Sequence, residues 1–261
     1  MTYSPAVAPT GAPAAHQAPQ ANAATESVKR SGKLFRKYEI LHLLPNGDIG
    51  ETAKVGPAIQ VFEEAFSAFA RGTLLRTDRG PVAIEDLLPG DKVETIDNGF
   101  QTLLWKGSCM LVPGIEGQSK EMGHLTRVSA DAMGWSKPSR DAVFGPAARI
   151  AHRTPAMRQL TGQDIGFVPL RDFIDGINIV EVTPITAVQV FHVAFAEQER
   201  VLADGIEVET YHPGAVHRLP LRGDALTLFL SMFPMINDIT DFSQPSYTRL
   251  RLSDIEMFSA A

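Results

Sequence analysis

Cysteine is nearly absent from this chain, with Cys109 the one thiol in 261 residues. That excludes a disulfide framework and any zinc or iron–sulfur site built from several thiolates. Dense runs of Lys and Arg are also missing. With 24 basic against 30 acidic side chains and a formal charge of −6, the chain lacks the phosphate-neutralising surface on which nucleic-acid binders depend. No apolar run is long enough to span a bilayer, since the longest, at residues 225–236, is interrupted by Pro234. There is no Gly-rich phosphate loop, no Gly-x-Ser-x-Gly and no His-Glu-x-x-His, so neither a cofactor nor a metal is expected.

The first 25 residues hold nine alanines, four prolines and no Asp, Glu, Lys or Arg. This composition predicts a disordered arm over residues 1–30. Prolines at 5, 9, 13 and 19 break any apolar core a secretory signal would need, and no basic segment precedes it. A cytoplasmic location is therefore expected, with signal-independent secretion or surface association as the alternative.

What is present is mainly β-type sequence. Tyr38-Glu-Ile-Leu-His-Leu-Leu followed by Pro45-Asn-Gly-Asp reads as a hairpin, and Phe62, Ala65, Phe66 and Phe69 have helical spacing that gives way to a strand. Residues 31–66 thus form a hairpin and helix lead-in. Short β runs punctuated by Gly and Pro follow, with a single turn at residues 84–88 stopped by Pro89-Gly90. Residues 137–140 and 152–158 read as basic, proline-bearing loops. Strands are predicted at 177–182, 186–195 and, as one last run, 201–208. Asp91-Lys-Val-Glu-Thr and Asp175-Gly-Ile-Asn-Ile-Val-Glu-Val-Thr echo each other ahead of β runs, too faintly to define a repeat. Residues 223–233 predict an amphipathic helix halted by Pro234, with Asp224 as its N-cap, and the tail is expected to pack back through Leu250, Leu252, Ile255 and Phe258.

Three blocks carry a family resemblance. Ala68-Phe-Ala-Arg-Gly-Thr-Leu-Leu, then Gly80-Pro-Val-Ala-Ile-Glu-Asp-Leu-Leu-Pro-Gly-Asp-Lys-Val, then Trp105-Lys-Gly resemble the opening block of a Hint (Hedgehog/intein) domain of the bacterial type. Val188-Gln-Val-Phe-His-Val and Val201-Leu-Ala-Asp-Gly-Ile-Glu-Val-Glu are similar to its closing block. The resemblance implies a pseudo-twofold β-fold at residues 67–214, preceded by the arm and lead-in and followed by a short helical extension at residues 215–261. It also implies self-processing, in which the first residue of the domain attacks the preceding carbonyl and histidines in two later blocks assist.

This chain departs from the family pattern at each processing position. The nucleophile position reads Ala68. The Ser-Pro-x-His-Arg type block reads Gly145-Pro-Ala-Ala148-Arg149, the closing-block histidine falls on Gln198, and the terminal His-Asn pair falls on Glu209-Thr210. Loss of the nucleophile alone lowers such rates about a million-fold. One Cys-to-Ala replacement, natural or engineered, would not also account for Ala148 and Gln198. The expectation is a degenerate Hint domain with a binding or structural role. The alternative is autoprocessing near Ser67–Ala68 with Ser67 as the nearest hydroxyl, although a one-residue shift in a strand turns a side chain to the opposite face.

Other candidates have plain readings beside the functional ones. Cys109 reads as a small buried hydrophobe, His192 as a structural strand residue, and His212 with His217 as loop histidines without a third ligand. Glu85-Asp86 reads as turn capping and Arg222-Gly-Asp224 as a helix start. Were the fold reused for a small ligand, Ser67, Trp105, Arg149 and His152 are the first residues to test for a shared pocket. Leu226, Leu228, Phe229, Leu230, Met232 and Phe233 exceed one helical stripe, so the helix is expected either to contact a partner protein or to be covered by residues 250–258.

Overall fold

The computed structural model describes residues 34–215 and 219–259; the arm predicted at residues 1–30 and His217 lie outside them. In chain order the elements are β1 (Phe35–Leu43), β2 (Ile49–Pro57), α1 (Gln60–Glu64), β3 (Phe69–Ala70), β4 (Leu74–Thr77), β5 (Gly80–Ala83), β6 (Lys92–Thr95), β7 (Gly99–Thr102) and β8 (Trp105–Leu111). They continue with β9 (Leu125–Val128), β10 (Ala142–Phe144), β11 (Arg149–His152), α2 (Pro155–Thr161), β12 (Gly166–Pro169), β13 (Ile179–Val182), β14 (Val188–Ala194), β15 (Arg200–Ala203), β16 (Ile206–Glu209), α3 (Gly223–Leu230) and α4 (Leu252–Ser259). The strands form two sheets, one ordered β13-β9-β10-β3-β14-β8-β1-β2 and the other β12-β11-β16-β15-β4-β6-β7 with β5 beside β4. The protein is thus mainly β, with short helices at its C-terminal side.

The lead-in is part of the first sheet. β1 and β2 pair from Phe35 opposite Pro57 to Leu43 opposite Ile49, and Gly47 at φ 89° makes the turn. Strand alternation turns Arg36, Tyr38 and Ile40 inward. The same strand pairs with β8 from Tyr38 opposite Cys109 to His42 opposite Trp105. Phe62, Ala65 and Phe66 of the α1 region close over Tyr38 and Trp105, so these residues share one apolar core. The helical spacing read over residues 61–70 resolves into α1 and then β3.

The faint sequence echo is a structural repeat. Phe69 of β3 lies directly opposite Phe144 of β10. The hairpins that follow are closed equivalently, by Ile84 N donating to Thr73 O at 2.8 Å and Leu170 N donating to Ala148 O at 2.9 Å. Turns after each hairpin end in Gly90 (φ 101°) and Gly176 (φ 78°), and β8 and β14 then pair with each other along their full lengths. A second core, including Ala68, Phe69, Phe144, Ala148 and Phe191, fills the space between the halves.

Four sequence expectations are corrected. The loop expected at residues 152–158 contains α2, because Thr154 Oγ1 accepts from Met157 N at 3.1 Å, Pro155 opens the first turn and Gly162 at φ 76° ends it. The single strand expected at 201–208 is the β15–β16 hairpin, turned by Asp204 (φ 47°) and Gly205 (φ 91°). The N-cap position of α3 is Arg222, without a side-chain cap bond, while Asp224 sits in the first turn where its charge suits the helix N-terminus, and the helix ends at Leu230, three residues short of Phe233. In the tail, Ile255 packs on Ala156, Met157 and Val168 with Leu250 and Leu252 beside it, whereas Phe258 stays exposed.

The apolar excess of α3 meets the rest of the chain. Phe229 sets its ring edge on Phe62 at 5.3 Å, and Phe233 stacks on Tyr211 at 5.0 Å and on Trp105 at 4.9 Å. Trp105 Nε1 donates to Met232 O at 2.7 Å. The cover on this face is therefore the lead-in and the aromatic stack, while the tail covers α2. No helix among the described residues is long and apolar enough to cross a membrane.

Candidate functional site

The Ser67–Ala68 peptide is buried at the junction of the two halves. Ala68 is fully buried, its N donates to Phe191 O at 2.8 Å, and its O accepts from Gly145 N at 2.9 Å. Ser67 O accepts from Ala147 N at 3.0 Å. This close approach explains Gly145, since a Cβ there would lie 2.1 Å from Ser67 O. The Ser67 and Ala68 carbonyls are thus both held by backbone N–H groups, and Ala68 presents only a methyl there. Ser67 Oγ is committed elsewhere, donating to Glu63 O at 2.7 Å at the end of α1.

The later blocks lead to a buried ionic network. Ala148 is sealed in the core, while Arg149 beside it reaches Glu64 Oε2 at 2.8 Å and lies 4.0 Å from Glu209. Gln198 Nε2 donates to Glu209 Oε1, and Arg249 Nε donates to both Glu209 oxygens at 2.9 and 3.1 Å. Thr210 Oγ1 accepts from Glu199 N at 2.9 Å. Glu209 is thus a buried carboxylate held between two guanidinium groups. Such a network fixes its side chains through charge-assisted hydrogen bonds.

His192, close to this network, makes no side-chain hydrogen bond to it. His192 is buried with its ring against Phe69 and Tyr211, and its Nδ1 accepts from Val193 N at 3.1 Å. Desolvation, helped by the charges of Arg149 and Arg249, holds its pKa well below the usual imidazole value. It is neutral at physiological pH.

The four residues singled out for a shared pocket occupy separate places. Ser67 lines a cavity of about 70 Å³ together with Glu64, Ser119, Glu121, Pro146 and Arg171. His152 lines a different one of about 210 Å³ beside Lys137, Arg153 and Glu207, with its ring against Phe173 and its pKa lowered by desolvation. Arg149 lines neither, pointing to the opposite face of β11 from His152, and Trp105 is buried in the aromatic stack.

The remaining candidates are structural in their contacts. Burial pushes the Cys109 thiol up to about 12. His212 donates from Nε2 to Ser243 O at 2.7 Å and accepts from Gly214 N at 3.0 Å. Glu85 accepts from Gly72 N at 2.8 Å, and Lys106 Nζ caps the same turn on Ile84 O, Glu85 O and Leu87 O. Among the described residues no three His, Cys, Asp or Glu side chains are grouped to hold a metal ion. Arg249 and Glu64 are the site residues that sequence reading missed. Neither lies in a recognisable block, and only the fold brings them to Glu209 and Arg149.

No curated protein matches this chain. A solved structure, the solution structure of a bacterial intein-like domain from Clostridium thermocellum, is 18% identical, with 56% of this chain and 99% of that chain covered and a TM-score of 0.36. The Hint domain family model matches residues 67–215, more than half of the chain, and the chain therefore belongs to the Hint domain family.

Proposed function

We propose that this protein is a Hint-fold domain that does not process its own backbone and serves a binding or structural role. The observation that carries the reading is the Ser67–Ala68 junction, where a fully buried alanine stands at the nucleophile position and the chain upstream of it is built into the fold. β1 is hydrogen-bonded along β8, and Tyr38, Phe62 and Phe66 are buried in the core. Processing would separate residues that complete the first sheet from the strands they complete. The ionic network around Glu209 adds support, because it replaces the proton-transfer groups with fixed ion pairs.

The autoprocessing reading has one observation in its favour, the Ala147 N–H aimed at Ser67 O, which would polarise that carbonyl. Polarisation alone does not break an amide, and the nearby hydroxyl of Ser67 is bonded to Glu63 O.

Intact-mass measurement of the protein tagged at both ends, after incubation with thiol or hydroxylamine, separates the two. A single full-length mass is expected under every condition, and also for Ala68→Cys, which restores a thiol without an imidazole at 148 or 198. A fragment pair split at the Ser67–Ala68 junction in the unsubstituted protein would overturn the reading.

A further inference from the structure

Residues 247–250 lie beyond the part of the chain matched by the Hint family, yet they reach back to its closing block. They meet β12 through a single parallel bridge, with Arg249 opposite Phe167, Thr248 O accepting from Phe167 N at 2.8 Å and Leu250 N donating to Phe167 O at 2.9 Å. Two side chains anchor the segment. The Arg249 guanidinium grips Glu209, which is 2% exposed and also held by Gln198, and donates onward to His212 O at 2.6 Å. The Tyr247 hydroxyl donates to Asp97 at 2.7 Å while its ring lies 5.1 Å from the Arg200 guanidinium and edge-on to Phe167. Side-chain amides read the backbone as well, through Tyr247 N to Gln198 Oε1 at 3.2 Å and Thr248 N to Gln163 Oε1 at 3.1 Å.

The segment is held without being buried. Every residue from 241 to 250 is half-buried or exposed. Its attachment therefore rests on two backbone hydrogen bonds to Phe167 and on polar anchors, the kinds of contact by which sheet edges capture extended peptides. Few buried apolar contacts also mean that such a segment opens without unfolding the body. When it opens, Glu209 is left as a buried carboxylate short of a cation, with Arg149 the remaining one at 4.0 Å. An uncompensated buried charge is strongly unfavourable, so the vacated site selects another guanidinium.

We propose that the edge of β12, with Glu209, Gln198, Gln163 and Asp97, is a peptide-binding groove that reads an extended Tyr-x-Arg segment, and that residues 247–250 occupy it in cis. The groove makes the binding role concrete, and it stands whether or not the Ser67–Ala68 bond is ever cleaved.

The test uses the full-length chain and a fluorescent peptide copying residues 244–251, followed by anisotropy. The doubly substituted Tyr247→Ala, Arg249→Ala chain, whose own segment has lost both anchors, is expected to bind the peptide at least about tenfold more tightly than the unsubstituted chain does. Replacing the peptide's arginine by citrulline, or adding Glu209→Gln to the chain, is expected to weaken that binding by about tenfold or more. Equal binding of the arginine and citrulline peptides, or no binding to a double variant that unfolds cooperatively, would overturn the proposal. Hydrogen exchange on the unsubstituted protein keeps the test independent of variant folding. The amides of Tyr247, Thr248 and Leu250 are expected to exchange at least about a hundredfold faster than those of β14. Exchange of both sets together, by global opening alone, would make the segment an ordinary core element and refute the groove.

Discussion

At the scale of single residues, the site is defined by how close two backbones come. Ser67 O sits where a Cβ on residue 145 would be, so glycine at 145 is a requirement of this buried junction. The sequence shows Gly145 only as a departure from a hydroxyl-bearing block, and no pattern around it announces the contact. Gly145→Ala is expected to push the β3 and β10 backbones apart and to destabilise the protein by about 1–3 kcal/mol, the range for overpacking a filled core. Urea denaturation checks this, with Gly123→Ala as the control for an added methyl without a backbone clash, since φ is not positive at either glycine and the Cβ at 123 meets only the end of the Gln118 side chain, at 3.3 Å. If the two variants lose stability equally, the close approach at 145 carries no weight of its own. The same reasoning applies to Arg149 and Gln198, whose partners Glu64, Glu209 and Arg249 come from elements far apart in the chain.

At the scale of elements, legibility follows the range of the interactions that set each one. The β1–β2 hairpin was readable because Asn46-Gly47 and strand alternation are local signals. The opening and closing blocks were readable because their turn residues are fixed by φ, as at Gly90. α2 carries local signals too, Thr154 and Pro155 ahead and Gly162 behind, yet its basic residues gave it the look of a loop. The end of α3 and the path of residues 243–251 were not legible, because they depend on contacts with Trp105, Phe167 and Glu209. α2 also yields a clean measurement. Thr154 Oγ1 is the side-chain cap, so Thr154→Ala is expected to lower stability by about 1 kcal/mol while Thr154→Ser stays within a few tenths, as judged by thermal melts. An equal loss for both would mean that the hydroxyl is not the capping group.

For the molecule as a whole, the two halves, the lead-in and the tail are tied together by groups that must keep their charge state. His192 and His212 are buried with pKa values pushed down mainly by desolvation, so the folded protein resists protonating them. The unfolded chain takes up those protons near pH 6.5, more readily than the folded chain, and linkage then makes stability fall as pH drops below that value. Glu63 and Glu199 act in the opposite sense. Burial raises their pKa values, so the stability they contribute is greatest below the ordinary 4.5 and is lost as pH rises toward their folded values. A comparison that removes one histidine and leaves both glutamates unchanged isolates the imidazole. His192→Asn keeps a polar acceptor beside Val193 N but cannot titrate. A histidine that stays neutral in the fold removes about 2 kcal/mol between pH 7 and pH 5. The stability of the unsubstituted protein, from urea unfolding across that range, is expected to fall by about that much more than the stability of His192→Asn. Parallel curves for the two proteins would mean that His192 takes up its proton in the fold as easily as in the unfolded chain, and that burial beside Arg149 and Arg249 does not hold it neutral.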